Sequence, residues 1–396
     1  MTQHRSAFGK LVLSTFLFTL PLNAAFAQEA GAVAERLKTV LASQNMTLGW
    51  SSATGDASEI VLEGATITVA GEGKAFPIGK LTLSGVEDDN GGYKITTIST
   101  EPYSVTQDGA TVDISPLTFG NVKLPAEGST DPLASLLMYE TAALDNLSVK
   151  VGDKQAFQMT NFTAEVTPPV DGKAMSFTGG AEKFSADLSL VEDPQSKAAI
   201  DALGYQNISG NLQLAGTWQP TDGRMTLSQY NIAVDNAGAL GMTFDLGGYT
   251  LDFIKSVQDL QKTMAAQPQG ADNSAQGLAM LGLMQQLTFH GATIRFDDAS
   301  ITNKVLEYLG KQQGMTAKDI ANQAKAIVPF MMMELNNPEL TQQVTAAVTA
   351  FLDNPKSLEI AAKPGSPVPF ALLAANGMAN PKDLPKTLGL SVTANQ

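Results

Sequence analysis

The chain contains no cysteine. That excludes a disulfide framework, thiolate metal sites, a cysteine nucleophile and a lipid anchor on an N-terminal cysteine. Histidine is almost as scarce, with His4 and His290 the only two. A His-rich metal centre or a two-histidine proton relay cannot be built from His290 alone. No G-x-S-x-G stretch accompanies it, and a lone histidine on a strand beside Gly291 reads as structural. Charge is sparse, at 16% of residues, and it is lopsided: 39 acidic side chains against 25 basic give a net −14. An acidic chain of this kind is a poor partner for nucleic acid and for unaided docking on anionic lipid. Apolar runs are short throughout, below the roughly 17 to 25 residues that span a bilayer as a helix.

What the chain does have begins at its start. His4, Arg5 and Lys10 precede an apolar run at residues 11–22, and Ala25-Phe26-Ala27 supplies a small-x-small pattern. This order predicts a cleavable export signal over residues 1–27, with a mature start at Gln28 and no stable transmembrane anchor afterwards. Removal of Arg5 and Lys10 leaves the mature protein more acidic still. Export without a single disulfide suits a bacterial periplasm.

Glycine is plentiful, with 35 residues, and it punctuates alternating stretches such as "EIVLEGATITVA", "YKITTIST" and "FQMTNFTAEV". Turn signals separate them, among them "DDNGG" at 88–92 and "PVDGK" at 169–173. The expected fold is α+β, a long, curved, mostly antiparallel meander with a C-terminal helical cap; strand–helix–strand alternation is absent, which argues against a doubly wound sheet. The expected organisation is a strand-rich region over 28–248 opening with a helix at 32–44, whose inward face is Val33, Leu37, Val40 and Leu41. A helix-rich cap with one inserted strand follows over 249–356, and closing strands over 357–396 return to the sheet. Within the first region, Asp193, Pro194 and Gly204 mark the cap, first turn and stop of an isolated helix. Ser300, Thr316 and Asn337 are the caps expected for three late helices, and Pro329 is expected to kink or break the second of them.

Motifs that could carry chemistry fail on spacing. "GKAFPIGKL" at 73–81 has five residues between its glycines where a phosphate loop needs four, and Leu81 stands where a Mg²⁺-binding hydroxyl belongs. The acidic groups Glu87-Asp88-Asp89, Glu192-Asp193 and Asp297-Asp298 are sequence neighbours, and neighbours on a strand point to opposite faces. No catalytic residue, metal ligand or cofactor site follows from the sequence. Two carboxylates brought together from distant strands, as in a hydrolase, are the one enzymatic arrangement such a reading leaves open.

The clearest pattern is one-sided. In "GNLQLAGTWQPTDGRMTLSQYNIAVDNAGALGMTFDLGG", period-two counting puts Leu212, Leu214 and Trp218 on one face of a strand, and Leu240, Met242, Phe244 and Leu246 on one face of another. This face must be covered, by the helices after residue 249 or by an apolar ligand. Those helices include "GLAMLGLM" and "AIVPFMMMEL", apolar on most sides, as in a buried helix or an adaptable contact surface.

The stretches "LAGTWQPTDGRMTLSQYNIAVDNAGALGM" and "ATIRFDDASITNKVLEYLGKQQGMT", after an export segment and a glycine-punctuated meander, resemble the AsmA-like and YdgA-like proteins of the Gram-negative envelope. The resemblance spans residues 205–315 and carries no catalytic signature. It implies a long curved sheet with an apolar inner face and a part in lipid handling or envelope integrity; the cleavable signal departs from the membrane anchor of AsmA-like proteins. The resulting expectation is a non-enzymatic periplasmic protein that binds an apolar or lipid-linked ligand. An envelope scaffold contacting other proteins, without a ligand, is the alternative.

Overall fold

The computed structural model describes residues 22–69, 75–169, 173–265, 274–333 and 335–396. Most of the predicted export signal, residues 1–21, lies outside the described residues; residues 22–27 are the first turns of helix α1 (Leu22–Ser43). Val33, Leu37, Val40 and Leu41 of α1 are buried, as the spacing predicted, against strands β1 (Met46–Gly49), β3 (Glu59–Val69), β4 (Ala75–Asp89), β5 (Gly92–Thr100) and β8 (Leu117–Leu124). The contacts include Leu48, Ile60, Leu62, Leu83, Ile95 and Leu124. Each such side chain contributes about 1.5–3 kcal/mol on burial. Arg36 ties the helix to the end of β8 by donating to the carbonyls of Pro125 and Ala126.

All strand pairings among the described residues are antiparallel, and they join eighteen strands into one sheet. β1 and β2 (Ser52–Asp56) lie end to end along β3, which pairs with β4 and so to β5. The β4–β5 turn uses Asn90 and Gly91, both at positive φ, as a tight hairpin requires. The meander then breaks once. β5 pairs with β8, while the hairpin of β6 (Tyr103–Gln107) and β7 (Ala110–Ile114) swings aside. Both β8 and β7 pair with β9 (Thr141–Val151), each along half of it. From there β10 (Lys154–Thr167), β11 (Met175–Asp187), β12 (Asn207–Gln219), β13 (Arg224–Val234), β14 (Gly238–Gly247) and β15 (Thr288–Asp298) follow in order. β16 (Ser357–Ala362) and β17 (Val368–Pro369) share the far side of β15, and β18 (Leu390–Ala394) closes the sheet on β16. Register shifts at Gln155/Phe157, Ala215/Gly216, Leu227/Tyr230 and Asp245/Leu246 insert bulges, which bend strands and increase their twist.

Helix α2 (Pro194–Leu203) is built as its sequence predicts. The Asp193 carboxylate accepts from Ser196 N–H at 2.7 Å, and Gly204 ends the helix at φ 72°. After β14 come α3 (Leu251–Ala265) and α4 (Ser274–Met284), and after β15 come α5 (Ile301–Gln313), α6 (Ala317–Met333) and α7 (Pro338–Asp353). Thr316 and Asp319 form a reciprocal cap on α6, and Asn337 caps α7 through Leu340 N–H. Three expectations need correction. Ser300 does not cap α5 with its side chain; its hydroxyl bonds to the Asn236 carbonyl and Tyr205, and Asp298 accepts from Thr302 N–H instead. Pro329 does not break α6, which runs on to Met333, because the one hydrogen bond that proline removes lies on an exposed last segment. The closing region is not strands alone: α8 (Phe370–Ala379) and the short α9 (Leu384–Thr387) sit between β17 and β18. α7 runs beside β18, where Asn395 Nδ2 donates to the Ala350 carbonyl at 2.9 Å, and so shields that edge of the sheet.

Candidate functional site

The seven apolar residues of β12 and β14 belong to rows that cross the sheet. Directly paired residues of antiparallel strands share a face, so the register can be followed from strand to strand. One row runs Ile60, Leu83, Ile98, Phe119, Ala142, Ala164, Gly179, Leu214, Tyr230, Met242, Ile294, Ile360, Val392. A parallel row runs Ala181, Leu212, Ile232, Leu240, Phe296, Leu358, Ala394. Phe244 continues a third with Leu227 and Ala292, and Trp218 and Leu246 a fourth with Met225 and Phe289. At a spacing of about 4.8 Å per strand, the part from β9 to β18 is roughly 40 Å long.

This face is covered at its beginning and open beyond it. α1 seals the end carrying Ile60, Leu83 and Ile98. Further on, Leu240 is 40%, Ile294 49% and Ile360 46% exposed, and Leu212, Leu214, Met242, Phe244 and Leu246 are half-buried. The sequence led to the expectation that the late helices cover this face. They flank it instead. Trp218 alone of the seven is fully buried, where its indole N–H donates to the Tyr249 carbonyl at 2.8 Å and its ring meets Tyr249 and, through it, Phe253 of α3. Phe289 meets Phe370 of α8, and at the other end of β15 Phe296 meets Phe351 of α7. Between these two walls lies a trough with an apolar floor.

At the Leu240 end the floor deepens into a cavity of about 340 Å³, lined by Leu188, Tyr205, Ile208, Ile232, Leu240, Phe296 and Ile301, with parts of Val234 and Ala237–Ala239. Sequence reasoning missed Tyr205, Ile232, Phe296 and Ile301; continuing the alternation through β13 and β15 would have found Ile232 and Phe296, while Tyr205 and Ile301 follow only from how α2 and α5 pack. The helical walls carry apolar surface of their own: Phe330 is 72% and Met378 78% exposed, with Met331, Met333 and Leu278 close behind.

Residues 231–395 match a family model described as an uncharacterized protein. No curated protein matches the chain. The matched stretch begins in the last residues of β13 and takes in β14 to β18 with all the late helices, and so most of the cavity lining, but not Leu188, Tyr205 or Ile208.

The opposite face of the sheet is polar. Thr243 and Thr293 share a hydrogen bond at 2.7 Å, and Arg295 reaches Asp297 and Glu359. His290 is the bulged residue opposite Asp245 and Leu246, which lifts it out of the apolar alternation. Arg224 pairs with Asp245 and donates to His290 Nδ1 at 2.7 Å, while Thr288 Oγ1 lies 3.1 Å from Nε2. Burial first, and then the Arg224 charge, hold the imidazole below its ordinary pKa, with Asp245 opposing. A neutral ring that accepts from arginine is held in place by its neighbours.

Four of the seven acidic neighbours have local work. Asp89 pairs with Lys94, Asp193 caps α2, Asp297 pairs with Arg295, and Asp298 caps α5. Among the described residues no three His, Cys, Asp or Glu side chains come together as a metal site, and no helix is long and apolar enough to cross a membrane.

Proposed function

We propose that this is an exported protein of the cell envelope that binds the hydrocarbon part of a lipid or other apolar molecule on its open sheet face, and that it holds its ligand without reacting with it. The observation that carries this reading is the group Leu240, Ile294 and Ile360, which lie in two adjacent rows and are each 40–49% exposed on an apolar floor with helices at its margins. Exposed apolar patches of this extent on a soluble protein mark a surface that something covers. The apolar rows continue across several strands, an extent that suits an acyl chain better than a compact ligand. The local roles of the paired carboxylates and of His290 support holding over catalysis.

Native mass spectrometry of the protein taken from its own compartment without detergent tests this, followed by solvent extraction of what it carries. A stoichiometric added mass that extracts as a lipid is the expected result. A clean apo mass that stays unchanged after incubation with lipid would overturn the reading and leave the envelope scaffold, with protein partners, in its place.

A further inference from the structure

We infer that the ligand is an anionic amphiphile whose charged end sits at Lys304 and whose chain enters the cavity beside Tyr205. This rests on the apolar-ligand reading above and adds the chemistry of the ligand's head. The cavity of about 340 Å³ falls within the range of roughly 300–1,000 Å³ usual for small-molecule pockets. Its lining is hydrocarbon except for the rim at Tyr205. There the Lys304 ammonium stands over the Tyr205 ring, 3.9 Å from its centroid. Ile301, in the cavity wall, lies one turn before Lys304 on the same face of α5.

Two features make this cation a site for a ligand's charge. The first is its fixed position. Tyr205 Oη is bonded to Ser300 Oγ at 3.1 Å and to the Asn236 carbonyl at 3.3 Å, so the ring does not swing, and the cation–π contact keeps the ammonium over it. The second is its lack of a carboxylate partner: among the described residues Lys304 takes part in no ion pair, in a chain with 39 acidic side chains available. An ammonium at the edge of an apolar cavity, steered by a ring and left unneutralised, is complementary to a carboxylate or phosphate carried on a hydrocarbon chain. The remainder of such a chain has Leu240, Ile294 and Ile360 to lie along.

The test uses the full chain and three probes: a fluorescent long-chain fatty acid, its methyl ester and a lysophosphatidylglycerol. The wild-type protein should bind the acid about tenfold more tightly than the ester, the scale of one charge-assisted hydrogen bond. Lys304→Met keeps the hydrocarbon stem on Tyr205 and removes the charge; it should abolish the acid's advantage and leave ester binding unchanged, and Lys304→Arg should restore the advantage. Tighter binding of the lysophospholipid than of the fatty acid would assign the anion as a phosphate headgroup, and the reverse as a free carboxylate. Equal binding of acid and ester by the wild type overturns the assignment of Lys304 while the apolar-ligand reading stands. Failure of both acid and ester to bind removes that reading itself.

Discussion

Replacing Leu240, Ile294 and Ile360 together by threonine separates a ligand-binding face from a merely exposed one. Full burial of a leucine or isoleucine is worth about 1.5–3 kcal/mol, and each of these side chains retains 40–49% of its exposure for a ligand to cover. Contact with all three therefore supplies roughly 2–4 kcal/mol of binding, so the triple variant should bind a fluorescent fatty-acid analogue about 30- to 1,000-fold more weakly. Threonine keeps strand propensity, but slightly more than half of each side chain is already buried in the fold, so the melting temperature should fall as well while the protein stays folded. Leu62→Ala is the counterpart. Leu62 is fully buried beneath α1, and the cavity left behind should cost about 2–5 kcal/mol of stability with no change in affinity while the protein stays folded. Titration of both variants, with thermal melts alongside, shows stability lost in both and affinity lost in the triple variant alone if the reasoning holds. Unchanged affinity in the triple variant refutes it, as does equal weakening by Leu62→Ala.

Bound lipid should protect Met242, on the trough floor, from peroxide oxidation, while the exposed Met331, Met333 and Met378 react first with or without ligand; peptide mass spectrometry reads both, and an unprotected Met242 in the loaded protein contradicts the placement. His290 should titrate below 6.5 by NMR, and Arg224→Met should raise its midpoint by removing a neighbouring cation. Because the unfolded state then binds the proton more readily, the stability this neutral ring supplies is complete above pH 6.5 and is lost as pH falls through the folded value. His290→Gln should accordingly flatten the stability loss between pH 7 and 5, as followed by denaturant melts. Gly248→Ala should destabilise by more than about 1 kcal/mol, since Gly248 sits at φ 85° and a Cβ there would meet the Gln286 carbonyl; an unchanged denaturation midpoint would refute the strain.

Elements with a strong local signal were readable from sequence. The face of α1 followed from the spacing of Val33, Leu37, Val40 and Leu41, and α2 from Asp193, Pro194 and Gly204. The strands followed from alternation, as did the sharing of one face by the seven apolar residues of β12 and β14. Features set by tertiary packing were not readable. α8 has apolar side chains on nearly every side, so it shows no amphipathic period. The displacement of the β6–β7 hairpin depends on which half of β9 each strand finds. Alternation names the apolar face of a strand but is silent on what lies over it, which is why the expected helical cover over Leu240 and Met242 gave way to an open trough. The contact of Lys304 with Tyr205 depends on α5 meeting that ring across 99 positions of chain, and no local pattern encodes that.

The uneven cover of the sheet bears on its mechanics. The large buried cluster lies wholly between Ala30 and Leu124. From β9 onward a strand is held chiefly by its two neighbours, with helices only at the margins, so this half behaves as a linear array in which each unit answers to the next. Such an array is compliant in the direction across its strands. It can flatten or coil by small changes shared over many ladders without breaking any, whereas the segment clamped under α1 cannot. The protein thus joins a stiff root to a pliable blade, whose curvature can adjust while its ladders stay paired.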